Sequence, residues 1–238
     1  MTNNHLLIVT GATGGIGSAL ILTALQHQCK CCAVVRNEAK LSQIISDQES
    51  KLLTVLPYTP PPTAELKLLL NQVCFVTLVS CAFQIQPISH IVNFGDQEVE
   101  DNIHDNLTIF VQLVSRIALL CKQKSLPLNI VNLDSGAAYR AIDGWSLYSA
   151  GKAYADMFLQ TLAIEEPWVS VVLYDPGVVD TGMQETIRNA EQNQFSQVKT
   201  FKEYYANNLL HSPQIVAADI YRRYVQTWCA ESLREKFI

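Results

Sequence analysis

Six short apolar runs, rich in β-branched residues, punctuate this chain: His5–Thr10, Lys30–Val35, Leu52–Leu56, Ile88–Phe94, Leu126–Leu133 and Val169–Tyr174. Little polar alternation interrupts them, which predicts strands buried on both faces. Between them apolar positions recur at helical spacing, predicting helices over Ile16–Gln28, Glu38–Ser50, Glu65–Val73, Asp101–Lys122 and Ser146–Glu165. A last helix, Gln214–Trp228, follows Ser212 as N-cap with Pro213 opening its first turn. The apolar face of Asp101–Lys122 passes through Ile103, Leu107, Phe110, Val114 and Ala118, and Asn106 interrupts it. An Asn inside a helix is mildly unfavourable and invites a functional reading. Residues Cys74–Gln86 are apolar without a clear period, so strand and buried helix both stay open. Pro57–Thr63 (PYTPPPT) suits neither a helix nor a central strand and reads as a rigid turn.

Strand and helix therefore alternate through one unit, residues 1–238, with no internal repeat, linker or second domain. This predicts an α/β fold: a single doubly wound, Rossmann-type parallel sheet with helices on both faces. Six strands are expected, or seven if Ser232–Ile238 (SLREKFI) adds a vestigial one. Ligands of such sheets sit at the carboxyl ends of the strands. From Gln184 to His211 the chain is polar and aromatic, with Phe195, Phe201, Tyr204 and Tyr205, and reads as a helical lid over that end.

Composition supplies the core: 49 % of residues are apolar and 16 % charged. The net charge of −5, without a basic cluster, argues against nucleic acid and anionic membrane as partners. No apolar run reaches about 18 residues and no leader pattern is present, so a soluble, cytoplasmic protein is expected. The 7 cysteines are scattered along the chain, three of them in the apolar run at Cys29, Cys31 and Cys32, and the 5 histidines show no ligand spacing with them. They read as small buried hydrophobes in a reducing compartment, with no metal site.

Candidate chemistry enters at two places. The first run ends in TGATGGIG, Thr10–Gly17, just before a helix. In that context Gly11 permits a tight turn, Gly15 lets a pyrophosphate approach the backbone, and Gly17 lets the helix pack on the strand. Thr13 and Ile16 complete the lining of this phosphate-binding turn. Arg36 ends the second run, 19 residues after Gly17, with Asn37 and Lys40 beyond. An Arg there accommodates a ribose 2′-phosphate, which favours NADP(H) over NAD.

The second place is Ser135–Lys152, SGAAYRAIDGWSLYSAGK. Tyr148 and Lys152 share a helix face one turn apart. A neighbouring ammonium is expected to draw the phenol, ordinarily near 10, towards the working range. Ser135 would donate a hydrogen bond to a substrate oxygen. A hydroxyl, a phenol and an ammonium around one carbonyl are the equipment of a carbonyl reductase. Tyr139, Trp145, Met183 and the lid aromatics would line an apolar pocket suited to a flat or aromatic carbonyl compound.

With these residues in place the chain resembles the short-chain dehydrogenase/reductase superfamily. TGATGGIG, Asn106 in NLT, Ser135, YSAGK and PGVVDT match its ordered motifs across nearly the whole length. Within it the likeness is strongest to sepiapterin reductases and bacterial benzil reductases, carried by GWSLYSAGKAYADMFLQTLAIEEPWVSVVLYDPGVVDTGMQ and by SPQIVA. The resemblance implies that Tyr148 protonates the carbonyl oxygen as NADPH delivers hydride. Lys152 lowers the phenol pKa and holds the nicotinamide ribose, Ser135 positions the carbonyl, and Asn106 anchors a relay water. Pro176, Gly177, Val179 and Thr181 would seat the nicotinamide. The helices Asp101–Lys122 and Ser146–Glu165 resemble those that pair subunits into homodimers or homotetramers.

Three departures from the family pattern stand out. The NNAG turn appears only as Asn93-Phe94-Gly95, so Asn93 and Gly95 are expected to touch the cofactor there. The acidic residue near the adenine is replaced by Leu56-Pro57-Tyr58. Sepiapterin reductases carry a longer tail with an acidic pterin anchor, so pterin reduction is not expected of a chain ending at Ile238. Two alternatives remain open: a catalytically silent NADP-binding regulator, and an NAD-dependent alcohol dehydrogenase.

Overall fold

The structure, a computed structural model, describes residues 4–45, 49–59, 63–227 and 232–237. The middle of the proline turn (60–62), residues 46–48 of the expected second helix, Trp228 and Cys229 lie outside the described residues. Seven parallel strands form one sheet in the order β3-β2-β1-β4-β5-β6-β7. They are β1 (His5–Thr10), β2 (Lys30–Val35), β3 (Leu53–Pro57), β4 (Phe75–Ser80), β5 (Leu128–Leu133), β6 (Val169–Asp175) and β7 (Leu233–Lys236). The order reverses between β1 and β4, which opens the switch-point crevice where ligands of such sheets bind.

Alternation along the strands divides the core in two. In β1, Leu6 and Ile8 face one layer while Leu7 and Val9 face the other, and all four are buried. The first layer takes α3 (Thr63–Leu69), α5 (Ile109–Gln123) and α6 (Ser146–Glu165), through residues such as Leu66, Leu113, Ile117 and Leu159, and α4 (Asp96–Ile103) precedes α5 in the chain. The second takes α1 (Gly15–Gln26) and α9 (Pro213–Ile220), through Leu20, Ile21, Val216 and Ile220. Between α6 and α9 lie α7 (Gly182–Arg188) and α8 (Val198–Ala206) of the expected lid, where Phe195 and Phe201 are buried. Ser212 caps α9 by accepting from the Gln214 N–H, as its position suggested.

Three expectations need correction, and the open choice between six and seven strands resolves. The fourth strand is not Ile88–Phe94 but Phe75–Ser80, inside the ambiguous apolar run. β-Rich composition misled at 88–94, because Ile91 and Val92 stand exposed, at 69 % and 90 %. The second helix, α2, spans only Glu38–Ser42. The seventh strand is real: β7 pairs with β6 from Val172↔Leu233 to Asp175↔Lys236. Finally, the helical run Asp96–Gln123 does reach the length and mean hydropathy, 1.2, of a membrane span. It serves instead as a core helix, with Ile109, Phe110, Leu113, Val114 and Ile117 buried against the sheet.

Inside that run, His104–Thr108 between α4 and α5 widens into a π-helical turn. Such turns recur at functional sites because the extra residue re-aims a side chain. Here Asn106, 2 % exposed, accepts from the Gln84 N–H at 2.7 Å and donates to the Gln84 carbonyl at 2.9 Å. The unfavourable Asn thus braces the backbone just beyond β4.

Candidate active site

The carboxyl ends of β1, β2, β4, β5 and β6 open into one cleft of ≈ 870 Å³. Gly11, Thr13, Gly15, Ile16 and Gly17 line one part of it, with Arg36, Lys40 and Tyr58 beyond. Ser135, Tyr148, Lys152, Pro176, Gly177, Val179, Thr181, Trp145 and Met183 line the rest. The structure therefore gathers most of the residues singled out from sequence into one continuous cavity.

Gly11 adopts φ +63°, and a Cβ there would lie 2.8 Å from the Ala82 nitrogen. A Cβ on Gly15 would lie 2.6 Å from Thr181 Cγ2. At these two positions the turn is bare backbone with no room for a side chain. Gly14 is the N-cap of α1, which has no side-chain cap and no acidic residue in its first turn. Its free amides and positive end suit a phosphate group. The Arg36 guanidinium lies 5.3 Å from the centre of the Tyr58 ring, and its Nη1 is 2.9 Å from Asp105 Oδ2. Gln84 Nε2 donates to the same carboxylate at 3.3 Å, and the Tyr58 hydroxyl donates to the Asp105 carbonyl at 3.0 Å. These residues fit a dinucleotide, with glycine backbone under the phosphates and cations at the adenosine end.

α6 carries Tyr148 and Lys152 on one buried face, both near 5 % exposed. Ser135 follows β5 and shares a hydrogen bond with the phenol. Burial pushes Tyr148 up to about 12, and the Ser135 hydrogen bond opposes this only in part. The expectation that Lys152 draws the phenol towards neutrality is not met. Lys152 Nζ donates to the Leu133 carbonyl at 2.6 Å and lies 5.8 Å from the centre of the Tyr148 ring. Burial instead lowers the lysine itself to about 8, against the pull of Asp134 and Asp156.

Phe83 is the residue sequence reasoning missed. It packs edge-on to Tyr148 at 5.4 Å, and its ring centre lies 4.1 Å from Lys152 Nζ. A Cβ on Gly151 would meet Phe83 Cζ at 2.9 Å, so the glycine of YSAGK makes room for this ring. Cys81–Gln84, following β4, occupies the place assigned to Asn93-Phe94-Gly95. Asn93 lies instead in a separate recess, donating to Gln194 Oε1 at 2.9 Å, and Gly95 caps α4. Neither lines the cleft, because the strand that would deliver them lies upstream.

The substrate end is aromatic. Trp145 stacks on Phe195 at 4.9 Å and meets Tyr148 edge-on at 5.3 Å, which joins the lid to the phenol. Met183 packs on the same cluster. Tyr139 does not belong to this wall. Its hydroxyl turns away to the Asp134 and Asp156 carboxylates, and its ring lies under the Arg234 guanidinium. Asn106 also stays outside the cavity, with both side-chain polar atoms engaged by Gln84.

A glycine turn at a helix start and a parallel switch-point cleft that holds Ser135 beside the buried Tyr148 and Lys152 define a dinucleotide-binding oxidoreductase. The short-chain dehydrogenase family model matches residues 5–192, and the chain belongs to that family. It is 28 % identical over 226 residues to a benzil reductase ((S)-benzoin forming) of Bacillus subtilis, covering 91 % of each. It is 30 % identical over 205 residues to the sepiapterin reductase of Mus musculus, covering 78 % of each. Among solved structures it resembles a short-chain dehydrogenase/reductase of Saccharomyces cerevisiae. That likeness has a TM-score of 0.82 and 26 % identity, over 98 % of this chain and 95 % of that one.

Proposed function

We propose that the protein is an NADPH-dependent carbonyl reductase acting on a ketone or vicinal dicarbonyl, with Tyr148 as the general acid. The observation that carries this reading is the placement of Ser135, Tyr148 and Lys152 in the same cleft as the glycine turn and Arg36. The bound nicotinamide supplies the hydride. Tyr148, protonated at neutral pH, gives its proton to the carbonyl oxygen, and the Ser135 hydroxyl orients that oxygen. Lys152 as an ammonium stabilises the phenolate left behind and offers donors to a ribose. Asn106 acts one step removed, by holding Gln84 and with it Phe83 against Tyr148 and Lys152. Trp145, Met183 and the lid aromatics exclude water and favour a flat, apolar substrate. Arg36 and Lys40 supply positive charge for a 2′-phosphate.

The names of the relatives direct the choice of substrates. NADPH oxidation is followed at 340 nm with benzil and sepiapterin offered in parallel, for wild type and Tyr148→Phe. Turnover of benzil with loss of about 10²–10⁴-fold in the variant supports the reading. Tight NADPH binding with no oxidation for any carbonyl would overturn it in favour of a silent NADP-binding regulator.

A further inference from the structure

Behind the catalytic face of α6 lies a charged cluster that the reaction above does not use. Asp134 and Asp156 are both buried, at 5 % and 3 % exposed. The Tyr139 hydroxyl lies 2.7 Å from Asp134 Oδ2 and also contacts Asp156 Oδ2. A phenol has one proton and can donate to one carboxylate only, so the two buried carboxylates crowd a single donor. Burial and the Asp134 charge push Asp156 up to about 7.

Arg234 enters from β7. Its Nη1 is 3.2 Å from Asp134 Oδ2 and its Nη2 3.4 Å from Asp156 Oδ2, so one guanidinium spans both. It also covers the Tyr139 ring, 4.3 Å from its centre. Asn132 Nδ2 approaches Asp156 Oδ1 at 3.5 Å. The cluster reaches the active site by two routes. Asp134 Oδ1 accepts from the Ser135 N–H at 2.6 Å, and Asp156 lies one helical turn from Lys152.

We propose that Asp134 and Asp156, bridged by Tyr139 and clamped by Arg234, are a positioning unit that keeps Lys152 an ammonium and fixes the Ser135 turn. The last strand of the sheet thereby becomes part of the active-site apparatus. The inference rests on the reductase reading of Ser135, Tyr148 and Lys152. Its physical basis is that burial alone drives Lys152 towards the neutral amine. Asp134 and Asp156 are the foremost groups opposing this, followed by Cys81 beyond β4 and Asp175 of β6. Tyr148 of α6 and Lys236 of β7 also line the cleft that Lys152 enters. A network serving only to dock β7 would have no need of a carboxylate on the Ser135 amide or beside Lys152, since apolar packing docks a strand as well.

The test uses the full chain and reads protonation as well as turnover. Side-chain NMR follows Lys152 Nζ, assigned by the loss of its signal in Lys152→Met, and the carboxyl carbon of Asp156. In Asp156→Asn, which preserves shape, the Lys152 titration and the alkaline limb of kcat/KM are expected to move together to lower pH by about one unit. In Arg234→Gln the Asp156 titration is expected to move upward, and Arg234→Lys to restore it in part. The Arg234 side chain is 42 % exposed, so this pair carries the test if Asp156→Asn does not fold. Titrations of Lys152 and Asp156 unmoved in every folded variant, whatever the loss of thermal stability, overturn the proposal. Shifted titrations in a protein that reduces no carbonyl support the coupling and overturn the reductase reading alone.

Discussion

At Lys152 two opposing effects meet: burial disfavours the charge, and the carboxylates of Asp134 and Asp156 favour it. The balance at about 8 gives the pH dependence a sign. The lysine is an ammonium below that pH and loses its proton above it. We expect kcat/KM for carbonyl reduction to be level on the neutral side and to fall by about tenfold per unit beyond the limb, read from initial rates across pH. Tyr148, pushed up to about 12, stays protonated throughout this window and adds no limb of its own. Arg36 sets a second residue-scale expectation. Its guanidinium is 47 % exposed and shared with Asp105, which leaves donors free for a 2′-phosphate. Arg36→Ala is expected to weaken NADPH binding about 10- to 100-fold, with little change for NADH, by fluorescence titration.

Elements show why the site is more than its reacting side chains. The β4 turn carries Phe83 against both Tyr148 and Lys152, yet its geometry is set from another element, by Asn106 in the π-helical turn. Asn106→Ala would leave the Gln84 N–H and carbonyl without their partner, at a cost of about 1–3 kcal/mol for each group that water cannot reach. A fall in melting temperature of several degrees is expected, at roughly 2–4 °C per kcal/mol, together with a lower kcat. A normal melting temperature with an unchanged rate would show that the turn holds itself.

At the scale of the whole molecule, α5 and α6 both carry large apolar side chains that are open to solvent. Leu119, Tyr154, Met157 and Ile164 are exposed there at 55 %, 44 %, 64 % and 80 %. Scattered exposed apolar residues are ordinary, but a run of them along two neighbouring helices suits association between copies of the chain. We expect sedimentation to show a dimer or tetramer, and Met157→Arg to shift it towards the monomer. A wild-type monomer at micromolar concentration would refute this.

Much of this was legible in the chain itself. Strands β1, β2 and β6, the helix α6 and the α9 cap are local outcomes of apolar runs, spacing and end signals, and all stand where those signals put them. The glycine turn and the Tyr148/Lys152 pair were legible for the same reason, since their geometry is fixed within one or two turns of chain. Asp156, four residues past Lys152 on the same helix face, is open to the same argument. What tertiary structure alone decided is what depends on burial and on distant partners. It chose Phe75–Ser80 over Ile88–Phe94 as the fourth strand, because composition cannot say which apolar run finds neighbours on both sides. It turned Tyr139 away from the pocket and placed Arg234 over it, 95 residues further along the chain. It also reversed the expected titration of Tyr148 beside Lys152, because desolvation is a property of the surroundings and no spacing in the sequence encodes it.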